Sequence, residues 1–178
     1  MRRVLISVGV VVALVGVLFL VFAGRDRAQD EGIGADAHIP AKAPGFVLPD
    51  ERGGEVALES LEAELRIVHF WASWSPYTEE GLRALVQLKE EYGDRIAVVA
   101  LNRDTVPAEG KAYLDQIGVG DTLLFAYDAE DTYYREVGGY NMPETVFVLP
   151  DDTIHRHVHA PMTFEEMRAI VVAMLGTS

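Results

Sequence analysis

Two near-continuous apolar segments place the strongest constraint on how this chain can fold. Residues 66–71 read RIVHFW, and residues 96–102 read IAVVALN. Segments without polar alternation are typical of strands that are buried on both faces, as in parallel sheets covered by helices. The stretch between them carries Leu82, Leu85 and Tyr92 at helical spacing. The sequence therefore predicts a strand–helix–strand unit of an α/β domain.

The segments on either side extend this unit into one mixed α/β domain. The further predicted elements, in chain order, are a β-hairpin within 43–61, a helix at 107–117, a strand at 123–127, a short helix within 129–137, strands at 145–149 and 153–159, and a last helix after Thr163. Thr163 and Glu166 have the spacing of a capping box. Strands that alternate with helices and end in a hairpin and helix predict a sandwich around a mixed sheet.

The N-terminal segment has a different character from the rest of the chain. Val4 to Ala23 is an uncharged run long enough to cross about 30 Å of hydrocarbon as a helix. We predict a membrane anchor in residues 1–23, a flexible linker in 24–43 and the folded domain in 44–178. The basic residues that flank the run weakly favour a cytoplasmic N-terminus, with the domain on the other side of a cell membrane. A cleaved signal peptide is the alternative, although the run exceeds a usual signal core.

Charge and cysteine content exclude several classes of function. The net charge of −13 argues against a nucleic-acid partner. The chain has no cysteine, so thiolate catalysis, disulfide exchange and thiolate metal sites are excluded. No cofactor is expected, and the predicted N-terminal helix is the expected contact with lipid.

A reactive group could be expected where the strand ending at Trp71 runs into a helix. Residues 69–80 read HFWASWSPYTEE, and helix N-termini stabilise developing anions. The sequence favours Ser75 as a helix N-cap, followed by Pro76 in the first turn and by Thr78 on the helix surface. The rival hypothesis, Ser75 as a nucleophile, needs a base, and only His69 is near in sequence.

Three histidines alternate near the C-terminus. His155, His157 and His159 are spaced to project from one face of a strand. Imidazoles in this pattern can share a zinc or copper ion. The competing interpretation, which we favour because no fourth ligand is evident, is the polar face of a hairpin strand.

Several segments resemble the membrane-anchored TlpA/ResA-like thiol-disulfide oxidoreductases of the thioredoxin fold. They are APGFVLPD, RIVHFWASW, GGYNMPETVFVLPD and HRHVHAPMTFEEM, in that order between about Ala43 and Leu175. The resemblance implies a thioredoxin-like three-layer sandwich with a central mixed sheet. In the family a Cys-Pro-x-Cys motif follows the tryptophan segment, and Ser75 and Thr78 stand at the two cysteine positions.

The resemblance also implies a site for a protein partner. Pro143 matches a cis-proline that faces the active site in the family, so the Met142–Pro143 bond is expected to be cis. Active relatives hold a substrate chain beside this proline, a mode similar to β-strand addition that needs no sulfur. The candidate partner-binding residues are Trp74, Pro76, Tyr77, Met142 and Pro143.

The sequence leads to one main functional hypothesis and two alternatives. The main one is a membrane-tethered, non-catalytic, thioredoxin-like module that binds an extended segment of a client envelope protein. Envelope protein or cytochrome c maturation is implied by the family resemblance. The first alternative is a non-thiol enzyme or metal-binding protein that uses Ser75 or the strand of His155, His157 and His159. The second is a structural role, in which the aromatic residues only pack.

Overall fold

The computed structural model describes residues 39–120 and 122–176. The predicted anchor and most of the predicted linker lie outside these residues. Within the described part of the chain, no helix has both the length and the apolar character needed to cross a membrane.

Within residues 39–120 and 122–176, seven strands form a two-stranded hairpin and a five-stranded sheet. The strands are β1 (Val47–Pro49), β2 (Glu55–Ala57), β3 (Leu65–Trp71), β4 (Ile96–Asn102), β5 (Leu124–Tyr127), β6 (Glu144–Val148) and β7 (Ile154–Val158). The large sheet has the order β5-β4-β3-β6-β7. Strand β3 pairs in parallel with β4 and antiparallel with β6. The sheet is therefore mixed, as predicted.

In this described part of the chain, four α-helices accompany the strands: α1 (Thr78–Tyr92), α2 (Pro107–Ile117), α3 (Thr132–Glu136) and α4 (Phe164–Leu175). The capping box of Thr163 and Glu166 at the start of α4 is confirmed. On the exposed side of α1, Arg83 Nη2 lies 2.9 Å from Glu79 Oε1, one helical turn away.

Alternate residues of the central strands separate two apolar clusters, one on each face of the sheet. Ile67 and Trp71 of β3 face a cluster built mainly with α1 and α4. Val68 and Phe70 face the other cluster, which includes the hairpin and α3. All seven residues of β3 are buried, which agrees with the apolar run that predicted this strand. The result is a three-layer sandwich.

Residues 41–43, directly before the predicted domain boundary at residue 44, form backbone hydrogen bonds with the segment around the start of β7. The amide of Ala43 donates to the carbonyl of Asp152, at 2.8 Å. The amide of Ile154 donates in turn to the carbonyl of Ala41, at 3.0 Å. The last residues of the predicted linker thus pair with the start of β7.

Gly139 allows the loop before β6 to pack closely on Tyr134. A Cβ atom at position 139 would overlap the Tyr134 ring. That ring has little freedom to move, because the Arg103 guanidinium carbon lies 3.3 Å from its centroid. Phe70 also packs against the Tyr134 ring in a T-shaped arrangement, with ring centroids 5.1 Å apart.

We predict that Gly139→Ala lowers the free energy of unfolding by about 1–3 kcal/mol, since overpacking forces side chains out of their preferred rotamers. Gly45→Ala is the matched control, because an added Cβ there meets no atom within 4 Å. Chemical denaturation of both variants measures the effect. Equal unfolding midpoints for the two would contradict the packing argument.

His69 is a polar residue within the central strand. Its side chain is buried, and its Nδ1 lies 2.9 Å from the Thr145 Oγ1 of β6. Burial lowers its pKa from the ordinary 6.5 to about 4. The imidazole is therefore neutral in the folded chain at neutral pH.

This burial predicts a pH-dependent stability. Below pH 6.5 the unfolded chain protonates His69 while the folded chain does not until about pH 4, so stability falls as the pH falls through this window. The expected loss between pH 7.5 and pH 5 is about 2 kcal/mol. Denaturation curves of the unmodified chain and of His69→Gln at both pH values isolate the contribution of His69 to this loss of stability. Identical losses in the two proteins would show that His69 does not carry it.

Candidate functional site

The turn between β3 and α1 places Ser75 differently from the prediction. Helix α1 begins at Thr78, with Tyr77 at the N-cap position and no side-chain capping hydrogen bond. The Ser75 side chain is buried, and its hydroxyl has no hydrogen-bond partner among the described residues. The predicted N-cap role of Ser75 is therefore wrong. Two successive turns precede the helix. In the first the Ser75 N–H donates to the Ala72 carbonyl, and in the second the Thr78 N–H donates to the Ser75 carbonyl.

Thr78 was predicted to lie on the helix surface, and this prediction is also wrong. Thr78 is completely buried. Its hydroxyl donates to the Ala72 carbonyl at 2.7 Å, which ties the start of α1 to the end of β3. The two residues at the cysteine positions of the family are thus interior groups. In the described structure neither has a basic partner that would activate its hydroxyl.

The aromatic residues of the same turn are exposed. Trp74 and Tyr77 retain 65% and 47% of their accessible surface, and Pro76 between them is exposed too. Large exposed aromatic side chains are unusual away from interaction surfaces, because their burial is favourable. Neither ring is therefore a residue of the core.

The loop before β6 contains the second part of the predicted site. The Met142–Pro143 peptide bond is cis, as the resemblance implied. Pro143 is buried, whereas Met142 is half-buried. Across residues 39–120 and 122–176, no backbone group forms a hydrogen bond with the N–H or the C=O of Met142. The N–H and the C=O of Met142 are therefore a donor and an acceptor without a backbone partner in the described structure.

The structure brings only some of the predicted site residues around one cavity. Tyr77 and Pro143 line a small cavity of about 130 Å³, together with His69, Glu80, Gly81, Pro161, Met162 and Thr163. Pro76 lines a separate depression along α1. Trp74 and Met142 do not line either of these two. His69 adds a buried Nε2 without a hydrogen-bond partner in the described structure.

The histidine strand also differs from the prediction of one shared face. The pairing of β6 with β7 shifts between Phe147 and Val148, where Arg156 and Ile154 are the respective partners. The intervening His155 is thus an extra residue in β7, and it is exposed. His157 and His159 instead turn towards Glu144, the first residue of β6.

Glu144 is a fully buried carboxylate with five close polar neighbours. Its Oε1 accepts from the Tyr134 hydroxyl at 3.1 Å, from the Tyr140 amide at 2.7 Å and from the Asn141 amide. Its Oε2 lies 2.7 Å from His157 Nε2 and 3.0 Å from His159 Nδ1. Burial alone would raise the pKa of Glu144, but the hydrogen bonds from His157 and the two loop amides outweigh it and lower the pKa.

Sequence reasoning missed two carboxylates of this region. Glu144 was treated only as the residue before an apolar strand, although an acidic residue directly after Pro143 was a usable signal. Asp104 is also buried, and it accepts from the Ser73 amide at 3.0 Å and from the Asn102 side chain at 2.8 Å. It holds the turn after β3 in place. The sequence around Asp104 gave no signal for this role, because its partner Ser73 is distant in sequence.

Comparison with known sequences agrees with this architecture. The family model of the AhpC/TSA family matches residues 39–157. A thiol:disulfide interchange protein DsbE of Allochromatium vinosum is 30% identical over 98% of this chain and 96% of its own length. The thioredoxin-like protein YneN of Bacillus subtilis is 26% identical over 71% of this chain and 74% of its own.

Solved structures share the fold. A Chlorobium tepidum protein assigned as thiol:disulfide interchange protein DsbE aligns with a TM-score of 0.71 and 24% identity, over 79% of this chain and all of that one. StoA from Bacillus subtilis aligns with a TM-score of 0.62 and 18% identity, over 74% of this chain and 99% of that one. The predicted thioredoxin-like fold is therefore confirmed. By its family match and its full-length similarity to a DsbE, this chain belongs to the thioredoxin-like AhpC/TSA family of thiol-disulfide oxidoreductase relatives.

Proposed function

We propose that this chain is a non-catalytic member of its family that binds an extended segment of a client protein without forming a disulfide. The binding surface consists of Trp74, Pro76, Tyr77, Met142 and Pro143, and is called the groove below. The single observation that carries the proposal is the unpaired backbone of Met142 next to the turn that exposes Trp74 and Tyr77.

The backbone of Met142 supplies the hydrogen bonds for an incoming strand. An incoming strand can accept from its N–H and donate to its C=O, which is how β-strand addition gains affinity without reading the sequence of the partner. A client protein that is not yet folded presents such unpaired strands. The name of the DsbE relative, a thiol:disulfide interchange protein, indicates protein substrates in that relative.

Trp74 and Tyr77 supply apolar area on one side of that strand. Aromatic side chains combine large contact area with few rotatable bonds, so they lose little entropy on binding, and they are enriched at interfaces.

Acidic residues beside the groove favour a client segment with basic residues. Glu79 and Glu80 follow Tyr77 and are exposed, and the chain carries a net charge of −13. Opposite charge on the client would speed association.

The absence of cysteine decides the kind of complex. A chain without cysteine cannot form the mixed disulfide through which thiol exchange proceeds. Release of the client therefore needs no resolving thiol, and binding is reversible.

We further propose that the protein is located at a cell membrane. Residues 1–23 are a single-pass anchor with a cytoplasmic N-terminus, and the domain lies on the outside. A role in envelope protein or cytochrome c maturation would fit that location.

Photocrosslinking tests the groove directly. A photoreactive amino acid replaces Tyr77 in the full-length chain in its native membrane, and a second chain carries it at Glu90. Glu90 is exposed on the same helix, about 20 Å further along at 1.5 Å per residue. We expect Tyr77 to capture a small set of proteins that Glu90 does not, and Trp74→Ala to reduce that capture severalfold. Equal capture from both positions would mean that the groove is not a specific site.

We also predict that the purified chain has no disulfide-reductase activity above background, because neither Ser75 nor Thr78 can replace a thiolate. Insulin reduction with dithiothreitol measures this. Restoring Ser75→Cys and Thr78→Cys together provides a positive control for the assay. Activity of the unmodified chain well above the uncatalysed rate would contradict the non-catalytic proposal.

A further inference from the structure

The cluster of Glu144, His157 and His159 has the composition of a metal site. Each residue offers one donor atom, and the three donor atoms lie within 4.8 Å of one another. Two imidazole nitrogens and one carboxylate oxygen are a common set for Zn²⁺ and suit Cu²⁺ as well. We propose that these three residues bind one divalent transition-metal ion, for which Zn²⁺ is the experimental probe.

Hydrogen bonds within the cluster leave most of its nitrogen atoms unsatisfied. His157 Nε2 bonds to Glu144 Oε2 at 2.7 Å. His157 Nδ1 and both nitrogens of His159 are buried without a hydrogen-bond partner among the described residues. His159 Nδ1 lies 3.0 Å from the same Oε2 but does not point at it in hydrogen-bonding geometry. Unsatisfied buried polar groups cost about 1–3 kcal/mol each, so a ligand that satisfies one of them is favoured.

The side chains of Glu144, His157 and His159 are largely inaccessible to solvent, as the ligands of a preformed metal site are. The exposed fractions are 0% for the Glu144 side chain, 2% for His157 and 12% for His159. The two imidazole rings lie 3.9 Å apart, centroid to centroid, and the Tyr140 ring stacks on His159 at 4.1 Å. The ligands are therefore held in place before an ion arrives, which limits the entropy lost on binding.

The distances need only a small adjustment. Zinc lies about 2.0–2.1 Å from imidazole nitrogen and carboxylate oxygen, which places tetrahedral ligand atoms about 3.3 Å apart. The observed nitrogen–oxygen distances are 2.7 Å and 3.0 Å. An ion would thus open the cluster by about 0.3–0.6 Å, which small side-chain rotations supply.

The outer hydrogen bonds assign a separate role to each carboxylate oxygen of Glu144. Oε1 is held by the Tyr134 hydroxyl and by the amides of Tyr140 and Asn141. Oε2 is left for the histidines. Partners of this kind orient a metal-binding carboxylate, and their loss weakens affinity. A set of three protein ligands also leaves a coordination position for water or an incoming group.

The test is a zinc titration of the untagged, full-length, purified chain with a chelator-buffered Zn²⁺ supply. We expect one Zn²⁺ per chain and an increase in the midpoint of thermal unfolding as Zn²⁺ rises. Glu144→Gln keeps the size and the Oε1 acceptor, and we expect it to weaken binding at least about tenfold. His159→Ala is expected to do the same, because it removes one ligand.

His155→Ala is the matched control, since His155 is a histidine of the same strand that is exposed and outside the cluster. It should bind Zn²⁺ as the unmodified chain does. The proposal is overturned if the unmodified chain binds no Zn²⁺ at millimolar concentration, or if His155→Ala weakens binding as much as the other two variants. Should Glu144→Gln fail to fold, His159→Ala and zinc X-ray absorption of the unmodified chain decide the question. That spectrum must show imidazole ligands.

Discussion

The antiparallel pairing of β3 with β6 is the constraint on which the rest of the structure depends. Phe70 near the end of β3 lies opposite Glu144 at the start of β6. The turn that follows β3 and the loop that precedes β6 are therefore forced to the same edge of the sheet. The candidate partner-binding residues Trp74, Pro76, Tyr77, Met142 and Pro143 all lie in these two segments. The completely buried β3 makes this register hard to shift, because a slip by one residue would exchange its two core faces.

Within that frame, the thiol positions have become structural. Thr78 ties the first residue of α1 to the Ala72 carbonyl, and Ser75 is buried in the turn. The turn is also held from outside the motif by Asp104. These contacts hold the turn between β3 and α1 in a chain that has no cysteine for thiol exchange. Under the proposed function, the exposed Trp74 and Tyr77 and the backbone of Met142 recognise an extended chain without reacting with it.

Much of the fold could be predicted from the sequence, because its signals are local. Apolar runs gave β3 and β4, helical spacing gave α1, and the Thr163–Glu166 box gave the start of α4. The candidate site was harder, because its geometry depends on distant contacts. Ser75 satisfied every local rule for an N-cap, yet α1 begins at Thr78, two residues later than that cap predicts, and the Thr78 hydroxyl donates back to the Ala72 carbonyl. Alternation placed three histidines on one face, but an extra residue in β7 separated His155 from the others. The acidic residue after Pro143 was a signal for a buried carboxylate, but nothing in the sequence placed His157 and His159 beside it, since that contact depends on the pairing of β6 with β7.

A titration tests most directly whether the groove binds protein chain without a thiol. The ligand is a synthetic peptide of the segment captured from position 77, with serine in place of every cysteine, and calorimetry with the full-length chain under reducing conditions gives the affinity. Saturable binding is predicted, with a loss of at least about tenfold, or 1.4 kcal/mol, in Tyr77→Ala. Binding that disappears when the cysteines of the peptide are replaced, or that is unchanged in Tyr77→Ala, would contradict a thiol-free groove.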